Sequence, residues 1–463
     1  MQPGDIVHGD EDGVVVFSRN KLRTVATRAS RSNVTKPMWC ASSGMGARCQ
    51  NSRSFLIVWS SFESEAKSMP GPLTGVRVLD LTRALAGPYC SMMLGDMGAD
   101  ILKVEMPKTG DETRGWGPPF IHGESGYFLS VNRNKKGMTL NLKDLRGKEI
   151  LAELMARADV VLQNFSPGTL ERLGFPYERM RSLNPRVVYC AISGFGQSGP
   201  SAGKAAYDQI LQGLGGLMSV TGPVGGPPIK VGVPIADIAA GMFAAYAVVV
   251  ALFHRERTGH GQMIDTSLLD GQVALLTFQA QRYFLTGKAP GWGGNCHPLI
   301  APYELFKTKD SYINVAVGND SLWARFCQTL GLEGYVDDPR FKTNPDRVAN
   351  RDALSVLLEE RFSRSTTAEI VTLLDGVGVP CGAVHDLAEV FADPQVVHLG
   401  LEQVMPHPAV GQVHQTGLPY RFSESPGALH LPPPLLGQHT DEVLRDLGYT
   451  KEDVGRLRQE GVI

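Results

Sequence analysis

From residue 70 onward, short runs of apolar residues alternate with segments whose apolar side chains recur every three or four positions. The runs are rich in valine and isoleucine and predict strands at residues 76–81, 101–104, 160–163 and 187–192. Segments of helical period, 89–97 and 148–156, lie between them. Strands that are apolar at every position are typical of a parallel sheet covered on both faces. The pattern therefore predicts a large α/β domain with a parallel sheet.

A smaller module follows near residue 291. Residues 303–307 and 312–317 predict strands, and three charged, amphipathic segments predict helices at 321–330, 351–362 and 368–374. The proline-rich stretch 432–437 and a final helix near 440–457 are expected to return to the first domain or to a partner subunit. We predict a large domain over 69–285, completed by 398–463, and a small α+β domain over 286–397.

The most apolar segment is 231–253, in which Asp237 is the one charged residue. Its length would span a membrane, but the carboxylate, Pro234 and many small residues favour a helix buried in protein. A glycine- and proline-rich stretch without periodicity, 193–232, precedes it. Long irregular loops are mostly functional, so we expect a site there. A strand at 263–267 and a long helix at 268–285 follow.

Residues 1–68 are expected to lie outside the fold. The first twelve carry four acidic side chains and no apolar core of a secretory signal, whereas residues 13–62 carry eight basic side chains and no acid. The segment therefore resembles a transit peptide, or an over-long start that precedes Met69. We expect a cytoplasmic protein, or one of the mitochondrial matrix if residues 1–68 are a transit peptide.

Composition narrows the partners. Lysine plus arginine (45) nearly balance aspartate plus glutamate (47) in the 463 residues, so nucleic acid and anionic membranes are not expected partners. At least eight residues separate any two of the seven cysteines, which gives no CxxC pair for zinc or redox exchange and favours a reducing compartment.

Cofactor motifs are also missing from the sequence. Residues 194–199 spell GxGxxG after a predicted strand, but Pro200 and further loop follow instead of the helix that a dinucleotide requires. The sequence has no GxxxxGK[ST] or HExxH motif, and no GxSxG places a serine on a nucleophile elbow. We therefore expect no bound cofactor and no metal.

Asp237 is the most informative residue. An aspartate before an apolar helix is commonly an N-cap. The same helix end would keep the carboxylate ionised in an apolar setting, with Gly232 and Gly241 leaving room for a substrate, and such a carboxylate is a usable nucleophile. Asp208, 29 residues earlier, is either a capping acid in a loop or a second carboxylate of the same cleft.

The part of the chain after Met69 contains a series of distinctive sequence blocks in a fixed order. They are VRVLDLTRALAGP (76–88), LGDMGADILKVE (94–105), GDETRGWGPPF (110–120), SVNRNKKG (130–137), NFSPGTLERLG (164–174), ISGFGQSGP (192–200), AAYDQILQG (205–213), PIADIAAGM (234–242) and RTGHGQMIDTSLLD (257–270), followed by APYELFKTKD and PPPLLGQHTDEVL. Together these blocks resemble the class III CoA-transferases, the formyl-CoA and carnitine-CoA transferase (CaiB/BaiF) family.

The resemblance implies a Rossmann-like large domain, an interlocked homodimer and acyl-CoA thioesters as substrates. It makes Asp237 the nucleophile that forms an aspartyl anhydride and then an aspartyl-CoA thioester, with Asp208, Tyr207, Gly293 and Gly294 in support. The blocks look most like those of members that use succinyl-CoA as donor and a dicarboxylate such as glutarate as acceptor.

The resemblance also implies where the substrates bind. The residues expected to line the CoA site are Arg83, Leu85, Ala86, Lys135, Asn164, Phe165 and Arg172. Leu85 replaces a glutamine of formyl-CoA transferase and Ala205 replaces a lysine, so the resemblance locates the region better than any single contact. Arg114 and His297 are candidates for the distal carboxylate of the acceptor, although Arg114 would equally suit a CoA phosphate or a neighbouring acid.

Two other functions stay open at this point. A 2-methylacyl-CoA racemase shares the fold but places a histidine immediately before the residue that matches Asp208, where this chain has Tyr207. A tyrosine, with a pKa near 10, is a poor proton shuttle at neutral pH. A non-catalytic CoA-binding protein is the second alternative, and an intact Asp237 speaks against it.

Overall fold

The computed structural model describes residues 71–463 and, before them, the backbone of the strands Ile6–Asp10, Gly13–Phe17 and Trp39–Cys40. Those three strands pair antiparallel, with Ile6–Asp10 in the middle. The prediction of a transit-like segment or over-long start falls almost wholly on residues outside the described part and stays a prediction.

Six parallel strands form the central sheet of residues 71–463. They are β1 (Arg77–Asp80), β2 (Asp100–Glu105), β3 (Lys135–Thr139), β4 (Val160–Gln163), β5 (Val188–Ser193) and β6 (Met263–Ser267). Their order across the sheet is β6-β5-β4-β1-β2-β3. This is the doubly wound order of the Rossmann fold, so the predicted parallel α/β sheet is confirmed.

The strand order reverses between β1 and β4, and in such sheets ligands bind at that point, beyond the carboxyl ends of the strands. The loops that leave the two strands are joined there. The Arg83 N–H donates to Asn164 Oδ1 at 2.8 Å, and Asn164 Nδ2 donates to the Arg83 carbonyl at 2.7 Å. This reciprocal pair fixes the mouth of the switch point.

Helices cover both faces of the sheet and give it two apolar cores. The helices of this part are Ala86–Asp96, Gly126–Val131, Leu145–Arg157, Thr169–Arg172, Tyr177–Leu183, Asp208–Leu214, Ile235–Thr258, Leu268–Leu275, Thr277–Thr286, Thr440–Leu447 and Lys451–Gln459. Leu444 and Leu457 of the last two helices lie in the same core as Leu151 and Val161. The C-terminal segment thus packs on the large domain.

The helix Ile235–Thr258, called the long helix below, crosses the first helix, Ala86–Asp96, in the other core. A side-chain carbon at Gly241 would lie 2.6 Å from the Ala86 carbonyl oxygen, so only glycine permits this contact. We expected Gly241 to leave room for substrate, and that was wrong. It lets the two helices touch, which fixes the start of the long helix beside Ala86.

The long helix is long and apolar enough to cross a membrane, with a mean hydropathy of 2.1. Half of that apolar stretch is buried in the protein. The buried half includes Ala240, Ala244 and Val248, which face the sheet. The opposite face is exposed in the single chain, so the predicted burial in protein is seen on the face toward the sheet.

A separate core lies in residues 301–379, around Phe306, Trp323, Phe326 and Phe362. Its three antiparallel strands are Tyr303–Lys307, Tyr312–Ala316 and Cys381–Ala383. The helices of this part and of the segment that leaves it are Asp320–Leu330, Asn344–Ala349, Arg351–Phe362, Thr367–Asp375, Leu387–Ala392 and Pro394–His398. The domain boundaries themselves stay a prediction.

Several local elements differ from the sequence prediction. The helix predicted over 268–285 breaks at Thr277, whose φ is 40°, and the final helix breaks at Gly448, whose φ is 100°. The hairpins Phe120–Ile121 with Glu124–Ser125 and Glu402–His407 with Gly411–Thr416 were not predicted. The strands of the first hairpin are only two residues long, and those of the second lack a clear apolar alternation.

Candidate active site

A cleft of about 510 Å³ opens at the switch point of the central sheet. Of the residues expected to form the site, Arg83, Leu85, Ala86, Asn164, Tyr207, Asp208 and Asp237 line it. Glu112, Trp116, Tyr127 and Lys230 line it as well and were not among the predicted site residues. The cleft therefore joins the first loop of the sheet to the start of the long helix.

Asp237 lies in the first turn of the long helix, half-buried in the cleft wall. Pro234, and not Asp237, is the N-cap of that helix. Asp208 supplies the capping carboxylate from another element, because its Oδ1 accepts from the Ala236 N–H at 2.8 Å. In the described part of the chain, no side chain donates a hydrogen bond to Asp237, which leaves its carboxylate available to a ligand.

Gln212 holds Asp208 in this capping position. Its Nε2 donates to Asp208 Oδ2 at 2.7 Å, and its Oε1 accepts from the Val231 N–H at 2.9 Å. Gln212 is fully buried, so both bonds are shielded from water. The fully buried amide thus ties the segment before the long helix to the residue that caps it.

Burial raises the pKa of Asp237 to about 7, and the nearby charge of Asp208 adds to the effect. We expected the positive end of the helix to keep this carboxylate ionised, but a carboxyl with a pKa of about 7 is only about half ionised at neutral pH. Desolvation and the like charge of Asp208 raise the pKa of Asp237 more than the positive end of the helix lowers it. The Ala236 amide at that end already donates to Asp208. A carboxylate with this pKa is weakly hydrated and is ionised above neutral pH.

Replacing Asp208 with asparagine should lower the pKa of Asp237. The asparagine would still cap the Ala236 amide through its side-chain oxygen but would carry no charge. We expect the ascending limb of kcat/KM against pH, for the acyl-CoA donor, to move about one pH unit lower. Glu112→Gln, which also neutralises a cleft carboxylate but does not act on Asp237, is the control. An unmoved limb in Asp208→Asn would contradict this assignment.

The other side of the cleft is the loop between β1 and the first helix. Ala84 adopts a left-handed conformation with φ of 63°. Its N–H donates to Asp111 Oδ1 at 3.2 Å, and Asp111 Oδ2 accepts from Lys103 Nζ at 2.9 Å in a pair that is fully buried. No described side chain caps the helix that starts after Leu85. Its first amides are therefore free for a ligand oxygen at the cleft.

Three residues expected to contact CoA do not line the cleft. The Lys135 ammonium is fully buried beneath the first loop, where it donates to the Pro88 carbonyl and to Asn132 Oδ1, both at 2.9 Å. It supports that loop, so the geometry does not favour a direct contact with CoA. Arg172 donates to Thr169 on the outside of the molecule. Phe165 packs behind the mouth, with the Arg83 guanidinium 5.4 Å from its ring centre.

Neither residue proposed for the acceptor carboxylate lines the cleft. Arg114 makes two hydrogen bonds of 2.7 Å to Glu105 and lies 3.7 Å from the centre of the Phe128 ring. It therefore binds a neighbouring acid, which was the alternative left open. The His297 ring stacks on Tyr303 at 5.0 Å, outside the cleft.

Gly293 and Gly294 were also expected to support Asp237. The Gly294 N–H donates to the Gly222 carbonyl at 3.0 Å, which joins the two glycine-rich loops to each other. Neither Gly293 nor Gly294 lines the cleft. Within residues 71–463, no group of three or more His, Cys, Asp or Glu side chains could hold a metal ion.

The cleft residues that were not predicted differ in whether a sequence motif points to them. Glu112 and Trp116 lie within the block GDETRGWGPPF, so that block was a signal for them. Tyr127 stands edge-to-face against Trp116 with ring centres 5.0 Å apart, and burial together with the charge of Asp237 raises its pKa to about 12. No sequence motif pointed to Lys230, because a lysine in a loop is usually only a solvated surface residue.

Comparison with known proteins identifies the family of this chain. The family model described as CoA-transferase family III matches residues 73–440. Succinyl-CoA:glutarate CoA-transferase of Mus musculus is 45% identical over 402 residues, which cover 87% of this chain and 92% of the mouse protein. Succinate–glutarate CoA-transferase of Agrobacterium fabrum is 41% identical over 382 residues, 81% of this chain and 96% of that protein.

Solved structures give the same answer for the fold. A crystal structure of a CaiB/BaiF family protein from Brucella suis superposes with a TM-score of 0.74 at 41% sequence identity. The match covers 82% of this chain and the whole of the Brucella chain. The fold is therefore shared along the full length of that protein.

Proposed function

The chain belongs to CoA-transferase family III, and we propose that it moves CoA from succinyl-CoA to a dicarboxylate acceptor such as glutarate, with Asp237 as nucleophile. It is an enzyme that transfers CoA. The substrates are those in the names of the mouse and Agrobacterium relatives. The observation that carries the role of Asp237 is its free, poorly hydrated carboxylate in the cleft at the switch point.

The proposed reaction uses four acyl exchanges. The Asp237 carboxylate attacks the thioester carbonyl of succinyl-CoA, the C–S bond breaks, and a succinyl-aspartyl anhydride and CoA thiolate result. The thiolate attacks the Asp237 carbonyl, which forms an aspartyl-CoA thioester and releases succinate. Glutarate attacks that thioester to give a glutaryl-aspartyl anhydride and thiolate. The thiolate then takes the glutaryl group, and Asp237 is regenerated as a carboxylate.

The chain's own groups fit these steps. One thioester is exchanged for another, so the overall free energy changes little and no ATP is consumed. Each addition creates an oxyanion, and the free amides after Leu85 could hold it, a contribution of ~3–4 kcal/mol per donor in other acyl-transfer sites. The buried Lys103–Asp111 pair keeps the loop that carries those amides in place. The site uses CoA thioesters as substrates and needs no other cofactor for this chemistry.

The test is incubation of the full chain with succinyl-CoA and a panel of carboxylic acids, with acyl-CoA products followed by mass. We expect glutaryl-CoA to form in amounts equal to the succinate released. Exchange of the α-proton of a 2-methylacyl-CoA without any acceptor would instead support the racemase alternative. Binding of CoA without turnover of any pair would support the non-catalytic alternative.

We also propose an interlocked homodimer. The exposed half of the long helix carries large apolar side chains, among them Tyr246 and Phe253 with 72% and 64% of their surfaces accessible. Phe284 and Leu285 are exposed at the end of the nearby helix Thr277–Thr286. An apolar surface of this kind marks a protein partner, and in this family the partner is a second copy.

Light scattering on the purified chain should therefore give about twice the monomer mass of 50.1 kDa. Tyr246→Glu should shift the mass toward that of one chain, because a carboxylate would be buried at the interface. Val356→Glu, on an equally exposed position of the helix Arg351–Phe362, is the matched control and should leave the dimer intact. A wild-type chain that stays monomeric at micromolar concentration would contradict the proposal.

The place of the enzyme in the cell is a further proposal. We propose a cytoplasmic protein, with the mitochondrial matrix as the alternative if residues 1–68 act as a transit peptide. Imaging of the full chain and of a form that starts at Met69, each with a C-terminal tag, separates the two.

A further inference from the structure

The distal carboxylate of a dicarboxylate needs a cation in the cleft, and the cleft itself is acidic. Asp237, Asp208 and Glu112 all line it. A second carboxylate that enters with the substrate would be repelled by these groups unless a positive charge faces it. Arg114 and His297, the residues first considered for this role, lie outside the cleft.

Among the described residues, the cleft is lined by two cations, Arg83 and Lys230. Arg83 belongs to the mouth between β1 and β4, where its backbone is joined to Asn164 and its guanidinium lies over Phe165. That position is the end of the cleft at the switch point, which suits the CoA moiety. Arg83 is therefore the less suitable cation for the acyl end.

Lys230 lines the same cleft from the segment through which the chain enters the long helix. The next residue, Val231, donates its N–H to Gln212 at 2.9 Å, and the same Gln212 side chain holds Asp208. The backbone beside Lys230 is thus fixed by the groups that cap the helix of Asp237. Lys230 is an exposed residue, and its ammonium donates to the Val231 carbonyl at 3.3 Å. In residues 71–463 no carboxylate lies within 4 Å of that ammonium, so it has no anionic partner before substrate binds.

We propose that Lys230 binds the distal carboxylate of the acyl group and so determines the preference of this site for dicarboxylates. The inference rests on the proposed function, in which succinyl and glutaryl groups are bonded in turn to the same Asp237 carboxyl. One cation would then serve both donor and acceptor. No bond changes at Lys230, which is a specificity residue for the reaction.

The type of cation fits two acids of different length. Succinyl and glutaryl groups differ by one methylene, so their distal carboxylates lie at different distances from Asp237. A lysine ammonium is a compact charge on a flexible four-carbon stem, whereas an arginine guanidinium pairs best in one fixed planar geometry. Lys230 can follow the carboxylate as the acyl chain lengthens.

The test compares glutarate with pentanoate, which has the same five carbons and lacks the distal carboxylate. With succinyl-CoA saturating, Lys230→Met should raise KM for glutarate about 10- to 100-fold and change kcat/KM for pentanoate less than about twofold. Lys230→Arg should keep most of the glutarate preference because the charge remains. Lys204→Met removes the same charge at an exposed residue outside the cleft. It should change the kinetic constants for neither glutarate nor pentanoate.

Two results would overturn the inference. The first is an equal fall in kcat/KM for glutarate and for pentanoate in both Lys230→Met and Lys230→Gln, which would indicate that Lys230 has a structural role. The second is an unchanged glutarate preference in these variants. If the wild-type enzyme itself transferred CoA to pentanoate as well as to glutarate, the dicarboxylate substrates of the proposed function would fail together with the role of Lys230. A wild-type glutarate preference that survives in Lys230→Met would count against Lys230 alone.

As a second arm, succinyl-CoA and butyryl-CoA serve as donors with the same four carbons. Because the donor acyl group occupies the same place on Asp237, Lys230→Met should lower kcat/KM for succinyl-CoA and leave that for butyryl-CoA nearly unchanged. A change confined to the acceptor would contradict a single shared acyl position and overturn the inference in this form.

Discussion

Replacing Asp237 with alanine is expected to lower CoA transfer by about 10⁴-fold or more, because the covalent route through the aspartyl anhydride is lost. The acyl-CoA donor should still bind, since the loop at Arg83 to Ala86 and the Asn164 contact are untouched. Steady-state rates of glutaryl-CoA formation measure the first effect. Equilibrium binding of CoA measures the second.

The covalent intermediate gives an independent readout. Wild-type protein incubated with succinyl-CoA should gain the mass of CoA less one water, and borohydride should remove that adduct by reducing the aspartyl thioester. Asp237→Ala and Asp237→Asn should show no adduct. Glu112→Gln, which changes another carboxylate of the same cleft, should retain it. Full activity in Asp237→Ala would mean that another group is the nucleophile.

Removing the Asp111 carboxylate is expected to lower the free energy of unfolding by about 3–5 kcal/mol, because it leaves the fully buried Lys103 ammonium without its counterion. Asp111→Ala also removes the acceptors of the Ala84 and Thr113 amides. Denaturant unfolding of the purified variant measures the loss. KM for the acyl-CoA donor should rise as well, since the loop beside the cleft loses its anchor.

The double variant Lys103→Met with Asp111→Asn tests whether the loss of stability comes from the unpaired buried charge or from the loss of side-chain packing. It removes both charges and should be more stable than Asp111→Ala, because no unpaired ion remains buried. Asp337→Ala, which breaks a surface pair between Asp337 and Lys342, is the control and should change stability little. If Asp111→Ala were as stable as wild type, the buried pair would not support the loop as described.

The strands of the central sheet could be predicted from the sequence where every residue of the strand is buried. Strands β4 and β5 are buried at every position, so almost all of their residues are apolar and the run itself is the signal. Strand β3 begins with Lys135 and Lys136 and was missed. Lys135 is buried because Asp80, Asn132 and the Pro88 carbonyl surround its ammonium, and such partners come from distant parts of the chain.

The same limit applies to the site. Asp237 and Asp208 were recognised because they lie in blocks shared with a family, and the structure brings both to one cleft. A sequence does not show which partner a cationic side chain has in the folded protein. Arg114 binds Glu105 and does not line the cleft, whereas Lys230, an exposed lysine in a loop, does line it. Only the three-dimensional arrangement of the acids decides which cation is free.

The buried position of Asp237 has a consequence for folding. Its pKa is near 3.8 in an unfolded chain and about 7 in the native protein, so folding at pH 4–7 takes up a proton at this side chain. The contribution of Asp237 to stability is therefore most favourable in acid and declines as pH rises through that interval. The ionised carboxylate that attacks a thioester is the form that least favours the native state, so the protein is least stabilised by this residue under the conditions in which it is most reactive.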